Sequence, residues 1–111
     1  MPKVVLCIPT KNRYGTLLNL LMDLSCEEKL QHIKIVIADC SDETPPIQLS
    51  EFTILPNVHY LAPNGEQLSM RANWDRALRH AKEIGDWISF IGDDDYLSPE
   101  VVDLVELVTS Q

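Results

Sequence analysis

The chain has 111 residues, 45% of them hydrophobic and 23% charged, the balance of a single soluble globular domain with one core. A formal net charge of -8, from 17 acidic and 9 basic residues, repels a phosphate backbone and argues against a nucleic-acid partner; a bound divalent cation would still admit a small phosphorylated ligand. No apolar run approaches the roughly 20 residues of a membrane span and no signal peptide is legible, so a cytoplasmic setting is expected, or the cytoplasmic face of a membrane in a longer protein.

Residues 3–8 form a nearly continuous apolar run closed by Pro9, the pattern of a strand buried on both faces. Residues 9–14 read as a polar loop. Leu17, Leu18, Leu20, Leu21 and Leu24 then recur at helical spacing, with Thr16 as the expected cap. Residues 33–38 repeat the buried-strand pattern and stop at Asp39. A turn-rich loop over 40–46 follows, then a short helix over 47–52 and a third strand over 58–61. Pro63, Asn64 and Gly65 mark another loop. Leu68, Ala72, Ala77, Leu78, Ala81 and Ile84 outline an amphipathic helix over 68–84, with Gly85 placed to end it. Residues 87–91 make a fourth strand. Ser98 as N-cap and Pro99 at the first helical position open a last helix, with Val101, Val102, Leu104, Val105 and Val108 as its apolar face.

Strands alternating with helices predict an α/β fold with a mostly parallel sheet of about four strands. In such sheets ligands bind beyond the carboxyl ends of the strands. Three polar segments fall there: Pro9-Thr10-Lys11-Asn12-Arg13, Asp39-Cys40-Ser41-Asp42 and Gly92-Asp93-Asp94-Asp95. Three adjacent carboxylates repel one another, and a hard cation such as Mn²⁺ or Mg²⁺ offsets that cost through oxygen ligands. Read alone, the triplet is equally a solvated acidic turn before a helix, where the helix dipole favours negative charge. Asp39 can accept hydrogen bonds from a base or a ribose, or cap its own loop as an Asx-turn, and Ser41 is open to both roles. Thr10, Asn12 and Arg13 offer donors to a nucleotide, whereas Lys11 is assigned to solvent. Arg71, at the start of a helix, can reach a base or diphosphate with its planar fork or sit in a surface salt bridge. Trp74 and Trp87 are read as core residues, and His32, His59 and His80 as unrelated structural or exposed residues. The cysteines, Cys7, Cys26 and Cys40, are odd in number and lack a C-x-x-C pair, so no disulfide framework or zinc site is expected.

The chain resembles family 2 glycosyltransferases. The resemblance rests on Val4-Val5-Leu6-Cys7-Ile8-Pro9-Thr10-Lys11-Asn12-Arg13 followed by a leucine-rich helix, on Asp39-Cys40-Ser41-Asp42 with cysteine in place of glycine, on Asn64-Gly65 with Arg71-Ala72-Asn73, and on Phe90-Ile91-Gly92-Asp93-Asp94-Asp95-Tyr96-Leu97-Ser98-Pro99, which carries a D-x-D signature. The resemblance implies a GT-A-like, Rossmann-like fold. It implies a nucleotide-sugar site of Pro9, Thr10, Asn12, Arg13, Asp39, Ser41, Arg71, Asp93 and Asp94, and a divalent cation, Mn²⁺ or Mg²⁺, on Asp95 and Asp93. Residues 1–111 are then expected to be one nucleotide-sugar-binding domain, truncated on its C-terminal side. Its donor is a nucleotide-diphosphate sugar, with a UDP-sugar favoured. The implied reaction is metal-dependent, inverting transfer to an acceptor hydroxyl, and no residue is identified as its catalytic base. Two other functions fit the same residues: a non-catalytic nucleotide-binding domain and a metal-dependent nucleotidyltransferase. The absence of glycine between Met1 and Tyr14 counts against the second.

Overall fold

A first strand that is apolar on both faces needs cover on both sides, and the fold provides it. The computed structural model describes residues 3–26, 33–63 and 68–93, together with Asp103 and Leu107, which are helical. The elements run β1 (Val4–Thr10), α1 (Tyr14–Cys26), β2 (Lys34–Asp39), a 3-10 turn (Ile47–Leu49) leading into α2 (Ser50–Thr53), β3 (Val58–Leu61), α3 (Met70–Ile84) and β4 (Trp87–Phe90). The sheet order is β3-β2-β1-β4, and every pairing is parallel. β1 is therefore internal, and it is buried along its whole length.

Alternation along the strands divides the core in two. Val4, Leu6 and Ile8 of β1 join Ile35 and Ile37 of β2 against Leu17, Leu20, Leu21 and Leu24 of α1. Val5 and Cys7 join Val36 and Ala38 on the other face, against Ala77 and Ala81 of α3. Small residues on α3 let it lie close to the sheet. Gly85 extends this approach, since a β-carbon there would stand 2.2 Å from Cγ2 of Val5.

Several local expectations shift. β1 continues through Pro9 to Thr10 instead of stopping at Ile8. The last bond toward β4 is Ile91 N–H to the Cys7 carbonyl, so Pro9, two residues on, turns its missing donor to a side where pairing with β4 has ended. α1 begins at Tyr14, which places Thr16 inside its first turn and not at the cap. α3 begins at Met70, and the Ser69 hydroxyl accepts from Ala72 N at 3.1 Å as its cap, so Leu68 precedes the helix. Gly85 does end α3, but at φ -155, which is extended backbone; close packing on Val5, and not left-handed geometry, is what requires glycine there. Trp74 and Trp87, expected in the core, are 42% and 53% exposed. Ser98 and Pro99 lie outside the described residues.

Candidate functional site

Parallel strands end on one edge, and the register sets Thr10 opposite Asp39 there. Asp93 follows β4 and meets the end of β1: Thr10 Oγ1 donates to Asp93 Oδ2 at 2.8 Å. Arg13 Nη1 lies 3.4 Å from Asp93 Oδ1. Thr10 is completely buried and Asp93 nearly so, whereas the Arg13 side chain is 49% exposed. A buried carboxylate needs such partners, because an uncompensated charge away from water is costly.

Beside it, Asp39 is fully buried and satisfied from several directions. Tyr14 and Tyr60 each donate their hydroxyl to Oδ2 at 2.7 Å, and Ser41 N–H donates to Oδ1 at 2.9 Å. The last bond is an Asx-turn. Burial, followed by effects that include the Asp39 bond, pushes the Tyr14 phenol up to about 12. Burial and then the same carboxylate raise Tyr60 further. Both phenols therefore keep the proton they donate.

Two braces hold the edge in shape. Asn12 sits at φ 54, a left-handed conformation asparagine tolerates better than most residues. Its N–H donates to Ser41 Oγ at 2.7 Å, and its side-chain oxygen accepts from Asp42 N at 2.9 Å and Glu43 N at 3.3 Å. The loops after β1 and β2 are thereby joined. Below them, the fully buried Asn73 of α3 donates to the Ala38 carbonyl at 2.8 Å. Arg76 spreads its guanidinium over the Asp39, Leu61 and Ala62 carbonyls at 2.7, 3.2 and 3.0 Å, gathering the ends of β2 and β3.

A cleft of about 460 Å³ opens over this edge, lined by Pro9, Lys11, Asn12, Arg13, Gly92 and Asp93, with Met70 and Trp74 from α3. Of the residues singled out in the sequence, Pro9, Asn12, Arg13 and Asp93 thus share one cleft. Thr10 is buried behind Asp93. Asp39 and Ser41 stand next to it without lining it, and Arg71 is exposed on the first turn of α3, outside the lining. Asp94 and Asp95 lie outside the described residues. Lys11, assigned to solvent, is instead partly buried in the cleft wall. Sequence reasoning passed over Arg76 and Tyr60, whose roles arise from contacts across the sheet. It also separated His59 and His80, whose Nδ1 and Nε2 lie 3.1 Å apart between β3 and α3.

Among the described residues no group of three or more His, Cys, Asp or Glu side chains could hold a metal ion. A hard cation bridging to phosphates needs only one or two carboxylates. Asp93 supplies oxygen donors of the right chemistry at the cleft. The residues present therefore fit Mn²⁺ or Mg²⁺. No helix among the described residues is long and apolar enough to cross a membrane.

The family described as Glycosyl transferase family 2 matches the chain over residues 5–109. A mannosyltransferase from Pyrobaculum calidifontis, PcManGT, solved in complex with GDP-Man and Mn²⁺, has a TM-score of 0.72 at 18% identity; the match covers 96% of this chain and 31% of that one. TarS of S. aureus gives a TM-score of 0.63 at 25% identity, covering 97% of this chain and 20% of its own. The chain thus spans about a third or less of these solved relatives, and its four-stranded parallel sheet with flanking helices is GT-A-like. No curated protein matches the sequence significantly.

Proposed function

The chain belongs to glycosyl transferase family 2, and on that premise we propose that its cleft binds a nucleotide-diphosphate sugar for metal-dependent, inverting transfer to an acceptor hydroxyl. The observation that carries this reading is Asp93, held by buried Thr10 and half-exposed Arg13 in the wall of a cleft past the carboxyl ends of β1 and β4. In this reading Pro9, Thr10, Asn12, Arg13, Asp39, Ser41, Arg71, Asp93 and Asp94 serve the nucleotide sugar. Asp93 and Asp95 hold the cation, which when bound supplies Lewis-acid stabilisation of the departing diphosphate.

The chain's own residues do the rest. Arg13 exchanges its contact with Asp93 for the donor's phosphates, and Lys11 adds a second positive charge to the same wall. Thr10 keeps Asp93 oriented while that exchange occurs. Asn12 fixes the loop whose backbone faces the nucleoside, and Asp39 acts through the loop it organises, because several protein donors already occupy its carboxylate. Preorganised charge of this kind matters most where negative charge develops, on the leaving diphosphate. No described residue is assigned as the base.

The donor we favour is a UDP-sugar; the GDP-Man bound by the archaeal mannosyltransferase makes GDP-sugars the necessary comparison. Release of nucleoside diphosphate from a panel of UDP- and GDP-sugars, with and without Mn²⁺ and with candidate acceptors, tests the reading. Metal-dependent release from one donor class is the expected result. Tight binding of a donor with no release under any acceptor would favour a non-catalytic nucleotide-binding domain.

A further inference from the structure

Among the described residues, Trp74 gives the cleft a flat apolar surface, and that surface is held in place. Trp74 of α3 lines it together with Lys11, Arg13 and Asp93. Its indole stacks on Phe90 of β4, with centroids 4.4 Å apart and planes 2° from parallel. Phe90 in turn packs against the core formed by Val5, Cys7 and Ala77. One face of the indole is thus spent on protein, and the ring cannot swing away without losing the stack. Yet Trp74 remains 42% exposed. A large aromatic left half in water, rigidly backed, and beside cationic and anionic groups is a preorganised surface for a ligand with a flat apolar face.

We propose that Trp74 is a binding platform on which the donor's flat apolar face, its nucleobase or the C–H face of its sugar, stacks while Lys11 and Arg13 engage the diphosphate. The proposal rests on the reading of the cleft as a nucleotide-sugar site. Exposed Trp87 supplies a control, because it pairs with Val4 at the amino end of β1, the far edge of the sheet from the cleft.

The test uses the Trp87→Phe chain, in which Trp74 is the remaining tryptophan. Its fluorescence is followed in Mn²⁺ while UDP, GDP, a hexose 1-phosphate or inorganic diphosphate is added, and calorimetry on the same chain records affinity. Quenching by the nucleotides identifies the base as the stacked group, and quenching by the hexose phosphate alone identifies the sugar. In either case Trp74→Ala should weaken that ligand roughly 5- to 150-fold, the span known for base–aromatic stacking. Trp74→Phe should recover most of the loss, and inorganic diphosphate should bind all three proteins alike. Equal affinity of Trp74→Ala and the parent for every ligand would overturn the platform and leave the cleft reading intact. Quenching by diphosphate as deep as by the larger ligands would also overturn it, since charge alone would then explain the signal. Failure of every ligand to bind the parent would remove the cleft reading and the platform with it.

Discussion

Asp39 shows what a single carboxylate at a strand end can organise. Hydrogen bonds to charged groups contribute about 1.5–3 kcal/mol each, and the Tyr60 hydroxyl makes one at 2.7 Å. Tyr60→Phe keeps the ring in its place against the α1-side core and deletes only the donor. It should lower stability by about 1.5–3 kcal/mol, seen as a lower urea midpoint with an unchanged slope. A midpoint equal to that of the parent would mean that another donor takes over the site. The placement of Asp39 and Asp93 at one edge was legible in the sequence, because each follows an apolar run and parallel strands deliver such positions there. The roles of Tyr60 and Arg76 were not. Tyr60 looks like an ordinary strand aromatic, and Arg76 like an exposed helix charge, until β2 and β3 are paired and α3 is laid across them.

Helices and strands were largely placed by period, but their junctions depend on tertiary contacts that no local pattern encodes. Gly85 is the clearest case. Sequence alone assigns it to the helix end on conformational grounds, whereas the structure needs it because α3 meets β1 there. Gly85→Ala forces a β-carbon into the fully buried Val5 side chain. Overpacking of this kind costs roughly 1–3 kcal/mol, and thermal unfolding should report it as a lower midpoint. The histidines make a related point: their spacing along the chain is uninformative, yet β3 and α3 bring His59 and His80 together. Burial, then His80, then Lys34 hold His59 below its ordinary value of 6.5. The unfolded chain therefore takes up that proton first as pH falls. The stability linked to His59 is fully present above about pH 6.5 and is lost as pH drops through the lower folded value. Unfolding midpoints measured from pH 8 to pH 5 should fall over the acidic part of that range, and His59→Asn should flatten the decline. An unchanged slope in the variant would assign the acid sensitivity to other groups.

At the scale of the whole molecule, alternating strand and helix signals were enough to reveal a parallel α/β sheet, and with it the edge where polar segments converge. Membership of glycosyl transferase family 2 and a GT-A-like fold agree with that architecture. Less of the cleft itself was legible, since Met70 and Trp74 enter it only once α3 is docked against the sheet. The chain carries a net charge of -8, so on the proposed reading an anionic diphosphate approaches an acidic protein, and a bound cation would offset that repulsion. Calorimetry of UDP binding to the chain in Mn²⁺ and in excess chelator, repeated with Asp95→Ala, measures that cation dependence directly. Affinity should be at least about tenfold higher with Mn²⁺, near 1.4 kcal/mol, and the variant should lose most of that difference. Equal affinity in Mn²⁺ and in chelator would contradict that expectation.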